Sequence, residues 1–325
     1  MKNKLNFKSP YIIAEIGSNF DQNINLAKKL IKTAKKCGAN AVKFQLFDSK
    51  KLYPKNKRMK NLFKKIELKK SWIKKLYNFS KKNSIEFFLS VFDIKSLNFL
   101  EKFDFNFYKI ASSELTNINL LKAISKTKKT AILSTGMCDL DDVTKAVSKF
   151  KKKIILMQCH SVYPLAINQT NLNVLKIYKR KFKNIILGFS DHTQSNIPAI
   201  VSVGIGALVF EKHITLNKKS KGPDHFYAYN PTQFKKYVID IHKAYESLGL
   251  NKKVLIPDEK KLGRRSGVYL VNDQKKNTII KRKMLTIRQP ALGIRDKYIN
   301  KIIGKKLNLN LKANDPILEN YIKKK

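Results

Sequence analysis

The chain has 325 residues, 43% of them hydrophobic, and a formal net charge of +45. This length allows one large domain of about 250 residues together with a small second domain. No run of about eighteen consecutive apolar residues occurs, so we expect no transmembrane helix and no membrane partner. We also expect no signal peptide, and the three cysteines lack disulfide or metal spacing, which favours a reducing, cytoplasmic location.

The positive charge raises the alternative of a nucleic-acid-binding protein. Lys and Arg together number 68, but only seven are Arg, the residue that most often contacts base edges and phosphates with a fork of donors. The lysines are spread over every predicted helix. We therefore favour solvated helix faces and a compositional bias, and expect no nucleic-acid partner. The charge could still steer an anionic substrate.

Eight short apolar runs, each followed by polar residues, recur along the first 230 residues. In chain order they are YIIAEIGSN, AVKFQLFD, EFFLSVFD, FYKIASSE, TAILSTG, IILMQCHS, IILGFSDHT and ALVFEKHIT. Amphipathic stretches separate these runs, and the alternation predicts an α/β fold, a closed (β/α)8 TIM barrel. Such barrels carry their chemistry at the carboxyl ends of the strands, so the polar residues that follow each run are site candidates.

Helices are predicted at 24–37, directly before Gly38, then at 68–82, and last in the barrel at 232–248. The polar stretch 48–68 is interpreted as a loop at the barrel mouth. Composition changes after residue 250. We predict a barrel domain over 1–250, a charged linker over 251–267 and a β-rich domain over 268–325, which is small enough to need packing against another surface.

Two lysines, Lys43 and Lys109, stand near the ends of the second and fourth strands, with Ser90, Ser112 and Ser134 on the strands between and beside them. A barrel interior desolvates an ammonium group, which is costly unless an anion pairs with it. Short hydroxyl groups supply donors without filling space. The set predicts a site for a phosphate and a carboxylate; the alternative is lysines that extend along the barrel rim to solvent.

His192 and His213 are separated by one strand–helix–strand step, so their side chains can converge at the ends of strands seven and eight. Two imidazoles with open coordination positions suit a first-row divalent cation. The alternative for each is a structural histidine with satisfied hydrogen bonds. Asp224 and His225, in the loop after strand eight, could join the site or orient a substrate.

Glu15 and Glu114 follow the first and fourth strands. In a basic mouth they could transfer protons or bind hydroxyl groups, or they could form salt bridges with the lysines. Tyr163, before Pro164, could face a substrate or anchor a turn.

Segments AEIGSN, VKFQ, YKIASSE, LSTGM, GFSDHT, EKHIT and GPDH occur in this order. On these motifs the chain resembles the sialic acid (N-acetylneuraminate/nonulosonic acid) synthase family over nearly its whole length. The part from RRSGVYLV through ALGI and IIGKKL resembles the C-terminal SAF (antifreeze-like) domain of that family. The resemblance implies a transferase that condenses phosphoenolpyruvate with an N-acylated amino sugar, giving a nine-carbon 2-keto acid and phosphate.

The resemblance also implies roles for residues. For phosphoenolpyruvate it implies Lys43, Ser90, Lys109, Ser112, Ser134 and Ser190; for the sugar, Gln45, Tyr163, Asp224 and Arg288; for catalysis, Glu15, Lys43 and Glu114; for Mn²⁺ or Mg²⁺, His192 and His213. It implies a domain-swapped homodimer in which the SAF domain delivers an arginine to the partner's mouth. Here the family's Arg-Pro-Gly pattern is altered around Arg288, which makes Arg288 the candidate.

Two other functions remain open besides nucleic-acid binding. One is a phosphoenolpyruvate-dependent condensation with a phosphorylated sugar. The other is an inactive barrel that serves as an interaction module, which the near-complete set of mouth residues disfavours.

Overall fold

A computed structural model of the chain describes residues 7–262 and 265–323, without the side chains of 260–262. The chain divides into two compact units, Met1–Gly249 and Leu250–Lys325. No helix in these described ranges is both long and apolar enough to cross a bilayer.

The first unit is a closed barrel of eight parallel strands in sequence order. The strands are β1 Tyr11–Glu15, β2 Ala41–Leu46, β3 Glu86–Val91, β4 Phe107–Ile110, β5 Thr130–Ser134, β6 Ile154–Gln158, β7 Ile185–Asp191 and β8 Val209–His213. Strand β8 pairs with β1, so that Glu15 lies opposite His213. The predicted (β/α)8 barrel is confirmed, and each of the eight apolar runs contains one strand.

Helices surround the barrel. They are α1 Ile24–Lys36, α2 Ser49–Leu52, α3 Lys57–Lys64, α4 Lys70–Lys82, α5 Ile94–Leu100, α6 Ile118–Lys126, α7 Leu140–Val147, α8 Val174–Lys181, α9 Ile197–Ile205 and α10 Pro231–Ser247. Outward-facing strand residues pack against these helices in the main apolar core.

The interpretation of 48–68 as a loop was wrong, because this stretch contains α2 and α3. Side chains of Asp48 and Asn56 accept hydrogen bonds from backbone N–H groups in the first turns of these helices. On α3, the Phe63 ring packs against Phe47 and Tyr53, with ring centroids 5.5 and 4.7 Å apart. Lysines flank the few apolar residues of α3, and none of its residues is fully buried, so the helical pattern in the sequence is weak.

Strand alternation places apolar and polar layers inside the barrel. A separate apolar cluster fills the interior and includes Phe88, Phe107, Ile132 and Val209. Two residues further along the same strands, facing the same way, come Ser90, Lys109, Ser134 and Glu211. The barrel interior is therefore filled with apolar side chains towards the amino-terminal ends of the strands, and it is polar at their carboxyl ends.

The second unit contains α11 Pro257–Leu262 and an antiparallel pair of strands, β9 Gly267–Leu270 and β10 Leu285–Arg288. Isolated bridges and short 3-10 turns make up most of the rest. Val268, Leu270, Leu307 and Ile317 belong to its own small apolar core. The small antiparallel sheet fits the predicted SAF domain. A short helix lies inside the segment predicted as a linker, and β9 begins at the last residue of that segment, Gly267.

Candidate active site

A cavity of about 530 Å³ opens at the carboxyl end of the barrel. Predicted site residues that line it are Glu15, Lys43, Gln45, Ser90, Lys109, Ser112, Glu114, Ser134, Tyr163, Ser190, His192 and His213. Asp224 lines an adjoining cavity that shares Gln45, Tyr163 and His213 with the first. Arg288 belongs to the second unit, where it is exposed at the end of β10.

Both lysines are buried and ion-paired. The Lys43 Nζ lies 2.8 Å from Glu15 Oε2 and donates to Ser90 Oγ at 2.9 Å. The Lys109 Nζ lies 3.0 Å from Glu211 Oε1. Of the two interpretations of Glu15, the salt bridge with Lys43 is observed, inside the cavity, and a role in proton transfer or hydroxyl binding stays a prediction.

Glu211 was not among the predicted site residues, although it is central to this arrangement. It lies between the two ammonium groups, 3.6 Å from Lys43 Nζ, and its Oε1 accepts from Ser190 Oγ at 3.2 Å. Burial would raise the pKa of Glu211, but Lys109 and Lys43 outweigh burial and lower the pKa to about 2. Counting back two positions along the strand from His213 points to Glu211, and this was the signal in the sequence.

The two lysines differ in their electrostatic surroundings. Burial alone would lower the pKa of Lys43, but Glu15 and Glu211 together raise it above the ordinary value. Burial lowers the pKa of Lys109, Lys43 adds to the effect, and Glu211 opposes it incompletely. A further anion near Lys109 would therefore favour its charged form.

Each candidate metal ligand has a nitrogen available. A backbone carbonyl only accepts hydrogen bonds, so His192 must donate from Nδ1 to the oxygen of His160, 2.7 Å away, which leaves Nε2 unprotonated. Burial, reinforced by His213, lowers the pKa of His192 to about 3. The buried Nδ1 of His213 has no hydrogen-bond partner among the described residues.

The ring centroids of His192 and His213 lie 5.7 Å apart. Two imidazoles, each with a ring nitrogen free to coordinate, fit a divalent cation whose other positions are taken by water or substrate. Within the described ranges, no group of three or more His, Cys, Asp or Glu side chains is placed to hold a metal ion. The arrangement fits an open site that also binds a reactant.

An aromatic wall stands beside the histidines. The Tyr163 ring packs against His192 and Tyr227, with centroids 4.2 and 5.0 Å apart. Tyr227, which was not predicted, donates from its hydroxyl to Asp224 Oδ1 at 2.8 Å. The other oxygen of Asp224 accepts from the backbone N–H and the hydroxyl of Ser18, at 3.2 and 2.9 Å.

Gly17 permits the loop after β8, which carries Asp224, to approach the loop after β1, which carries Ser18. Its φ is +53°, and a Cβ at this position would lie 2.7 Å from Asp224 Oδ2. Any larger residue would strain the backbone and displace the carboxylate.

Glu114 lies at the cavity wall in a short 3-10 turn, Ser112–Glu114. Its Oε2 accepts from Asn117 Nδ2 at 2.9 Å. The Ser134 Oγ is buried and has no hydrogen-bond partner among the described residues, so its hydroxyl is available to a ligand in the cavity.

Comparison with known proteins gives a consistent result. The model of the NeuB family matches residues 30–253. An N,N'-diacetyllegionaminic acid synthase of Campylobacter jejuni is 33% identical, over 96% of this chain and 100% of its own length. The human N-acetylneuraminate-9-phosphate synthase is 29% identical, over 96% and 92% of the two chains.

A solved structure of an N-acetylneuraminic acid (sialic acid) synthetase from Leptospira borgpetersenii is also similar. It superimposes with a TM-score of 0.76 at 32% identity, and the match covers 81% of this chain and 94% of that one.

Proposed function

The chain belongs to the NeuB family, as its ordered motifs predict, and we propose that it is a nonulosonic acid synthase. It condenses phosphoenolpyruvate with an N-acylated amino sugar to give a nine-carbon 2-keto acid and phosphate. The observation that carries this proposal is the pair of buried lysines, Lys43 and Lys109, beside two histidines in one cavity. The similarity to legionaminate and neuraminate synthases supports it.

Phosphoenolpyruvate binds among the lysines. The ammonium groups of Lys43 and Lys109 stabilise its phosphate and carboxylate charges, and they act in a water-poor site where such interactions are strong. The surrounding hydroxyl groups donate the remaining hydrogen bonds. These hydroxyls belong to Ser90, Ser112, Ser134 and Ser190.

His192 and His213 would hold a divalent ion, Mn²⁺ or Mg²⁺. When bound, such an ion supplies Lewis acidity to the carbonyl oxygen of the open-chain sugar. Tyr163 packs on the His192 ring and fixes its orientation. Gln45, Tyr163 and Asp224 bind the sugar.

The reaction forms a C–C bond and breaks a C–O bond. The enol carbon of phosphoenolpyruvate attacks the sugar aldehyde, a cationic centre forms at the second carbon, water adds there, and phosphate leaves. Glu15 and Glu211 keep the lysines charged and in place. Glu114 transfers a proton near the aldehyde or the attacking water.

The second unit completes the site in a homodimer. We propose that it is the SAF domain and that it delivers Arg288 to the mouth of the partner subunit, where a guanidinium can donate parallel hydrogen bonds to the acyl or hydroxyl oxygens of the sugar. The free thiols of Cys37, Cys138 and Cys159 suit the cytoplasm.

A product assay tests the function. The purified protein is incubated with Mn²⁺, phosphoenolpyruvate and a panel of N-acylated hexosamines, and products are identified by mass spectrometry. We expect a nine-carbon 2-keto acid. With ¹⁸O in the bridging oxygen of phosphoenolpyruvate, the label should appear in the released phosphate, because the C–O bond breaks. Label retained in the organic product, or no product with any hexosamine, would contradict the proposal.

A further inference from the structure

A second cavity of about 360 Å³ adjoins the mouth and has a different chemical character. It shares Gln45, Phe63, Tyr163 and His213 with the main cavity, so the two are continuous. Its lining divides into a polar side, with Asp224 and Tyr227, and an apolar side, to which the shared Phe63 belongs. The apolar side consists of Phe47, Leu62, Phe63, Ile66 and Phe226.

Aromatic contacts hold the apolar side in place. Phe63 of α3 is held between Phe47 and Tyr53, and Phe47 in turn packs against Phe92, with ring centroids 5.7 Å apart. Leu62 and Phe226 remain 45% and 56% exposed. Exposed apolar side chains at the edge of a cavity, on a chain with a net charge of +45, indicate a surface that a ligand covers.

The charges around this cavity argue against a phosphate group. Among the described residues that line it there is no Lys or Arg, and the one carboxylate is Asp224. Both oxygens of Asp224 already accept hydrogen bonds, from Tyr227 and Ser18. A phosphate placed here would lie beside an anion, and no Lys or Arg among the described lining residues of this subunit would pair with it, which is costly in a partly buried site.

The position of the cavity identifies the part of the substrate that would enter it. On the proposed function, the sugar aldehyde lies near His192 and His213, and the sugar extends past Tyr163 and Gln45. Its remote end then reaches the apolar wall, while Asp224 and Tyr227 face its middle.

We propose that this cavity is the subsite for the remote end of the acceptor sugar, and that it takes a methyl or acyl substituent and excludes phosphate. The inference rests on the proposed function and narrows its substrate class to unphosphorylated N-acylated amino sugars that carry an apolar group far from the aldehyde. Leu62, Ile66 and Phe226 are the residues that set this preference.

Acceptor competition tests the subsite. The full-length protein is assayed at saturating phosphoenolpyruvate with three N-acetylated aminohexoses that differ only at carbon six: hydroxymethyl, methyl (6-deoxy) and 6-phosphate. We expect kcat/KM for the 6-deoxy sugar to exceed that for the 6-phosphate by about tenfold or more, since one apolar group in a fitted pocket discriminates by 10- to 200-fold. Equal values, or a preference for the phosphate, would overturn the subsite.

A charge placed on the wall should reverse the preference. Leu62→Lys should lower kcat/KM for the 6-deoxy sugar and raise it for the 6-phosphate, with the KM for phosphoenolpyruvate unchanged. Ile239→Lys, at a similarly exposed position on α10 (41% exposed), is the matched control and should leave all three values unchanged. Identical behaviour of the two variants would contradict the proposal.

Two further outcomes separate this inference from its alternatives. If no hexose reacts, the proposed function fails and the subsite fails with it; if all react without discrimination, only the subsite fails. If Leu62→Lys and Phe226→Ala instead change the oligomeric state in sedimentation while acceptor preference stays constant, the apolar wall is covered by protein and not by the sugar.

Discussion

The carboxylate of Asp191 and the ammonium of Lys212 form an ion pair of 2.9 Å across strands β7 and β8. The two residues are register partners, and each directly precedes a candidate metal ligand, His192 or His213. Both are almost completely buried, and Lys212 also lies over the Tyr229 ring at 4.2 Å. Because neighbouring residues on a strand face opposite ways, the pair lies outside the barrel wall and fixes the strands that carry the histidines inside it.

Replacing Lys212 by Met should destabilise the barrel by about 3–5 kcal/mol, because it leaves Asp191 buried without its cation. Chemical denaturation measures this loss. The double variant Asp191→Asn/Lys212→Met should recover much of it. Lys236→Met breaks an exposed pair with Asp240, also at 2.9 Å, and should cost no more than about 1 kcal/mol. Equal losses in the two single variants would show that burial of the first pair is unimportant.

Glu211→Gln should lower the melting temperature of the free protein and increase its stabilisation by phosphoenolpyruvate. Lys109 loses its paired carboxylate, and a bound anion then supplies the missing charge. Thermal melts with and without phosphoenolpyruvate give both quantities. Glu114→Gln is the control, because the Glu114 carboxylate accepts a hydrogen bond from Asn117 and, among the described residues, does not pair with a lysine. This variant should show a smaller change in melting temperature and a smaller change in stabilisation by phosphoenolpyruvate. A Glu211→Gln protein that melts like the wild type would contradict this account of the lysines.

Removal of divalent cations should abolish synthase activity, and Mn²⁺ should restore it, if His192 and His213 form the metal site. The variant His213→Ala should lose bound manganese in elemental analysis and lose stabilisation by Mn²⁺ in thermal melts. His242→Ala, on α10, should keep both. Full turnover in a metal-free preparation would rule out a metal role.

Arg288 can be tested by mixing inactive subunits. Proteins carrying Arg288→Ala and His192→Ala should each have low activity, and mixed dimers would contain one mouth with both groups intact. Activity should therefore return in part after subunit exchange. Arg295→Ala should retain activity alone. Absence of recovery despite demonstrated exchange would show that Arg288 does not act on the partner's site.

Glu86 and Asp93 should show opposite pH dependences of stability. Burial raises the pKa of Glu86, and Asp104 adds to this, although Asn106 donates to the carboxylate at 3.0 Å. Its ionised form is therefore disfavoured by folding, and the penalty appears as pH rises through the folded pKa. Glu86→Gln should be more stable than the wild type at pH 7, and the difference should vanish below about pH 4.

Asp93 is the matched comparison. Burial would raise the pKa of Asp93, but hydrogen bonds from Lys51 and Ser96 lower it. Its stabilisation is present above the unfolded pKa and is lost as pH falls through the folded pKa. Asp93→Asn should therefore be less stable than the wild type at pH 7, and the two should converge in acid. Urea unfolding at several pH values measures both variants; a shared direction of change would refute the assignment.

Strands were predictable because each is a contiguous apolar run ended by polar residues, a pattern that lysine-rich composition does not disturb. The helices α2 and α3 were not predictable in this way. Helix α3 has few apolar positions, and its Phe63 packs mainly against Phe47 and Tyr53.

The position of Lys43 and His192 at the barrel mouth was predictable for the same reason as the strands, and their roles stay predictions. Glu211 and Tyr227 were missed because each contacts a site residue distant in sequence, Lys109 and Tyr163 respectively. The Asp191–Lys212 pair requires the register between two strands, which no single segment contains.

Glu15 and His213 lie opposite each other on the first and last strands, where the ring of strands closes. The ribosome makes these strands near opposite ends of the barrel sequence, so the nascent chain cannot join them until β8 has been synthesised. Contacts of such long sequence separation are slow to form. During synthesis the barrel therefore passes through stages in which most of its helices have been made but the ring of strands is still open. A chain interrupted before β8 retains Lys43 of β2 and Lys109 of β4 without Glu211, the carboxylate that pairs with Lys109.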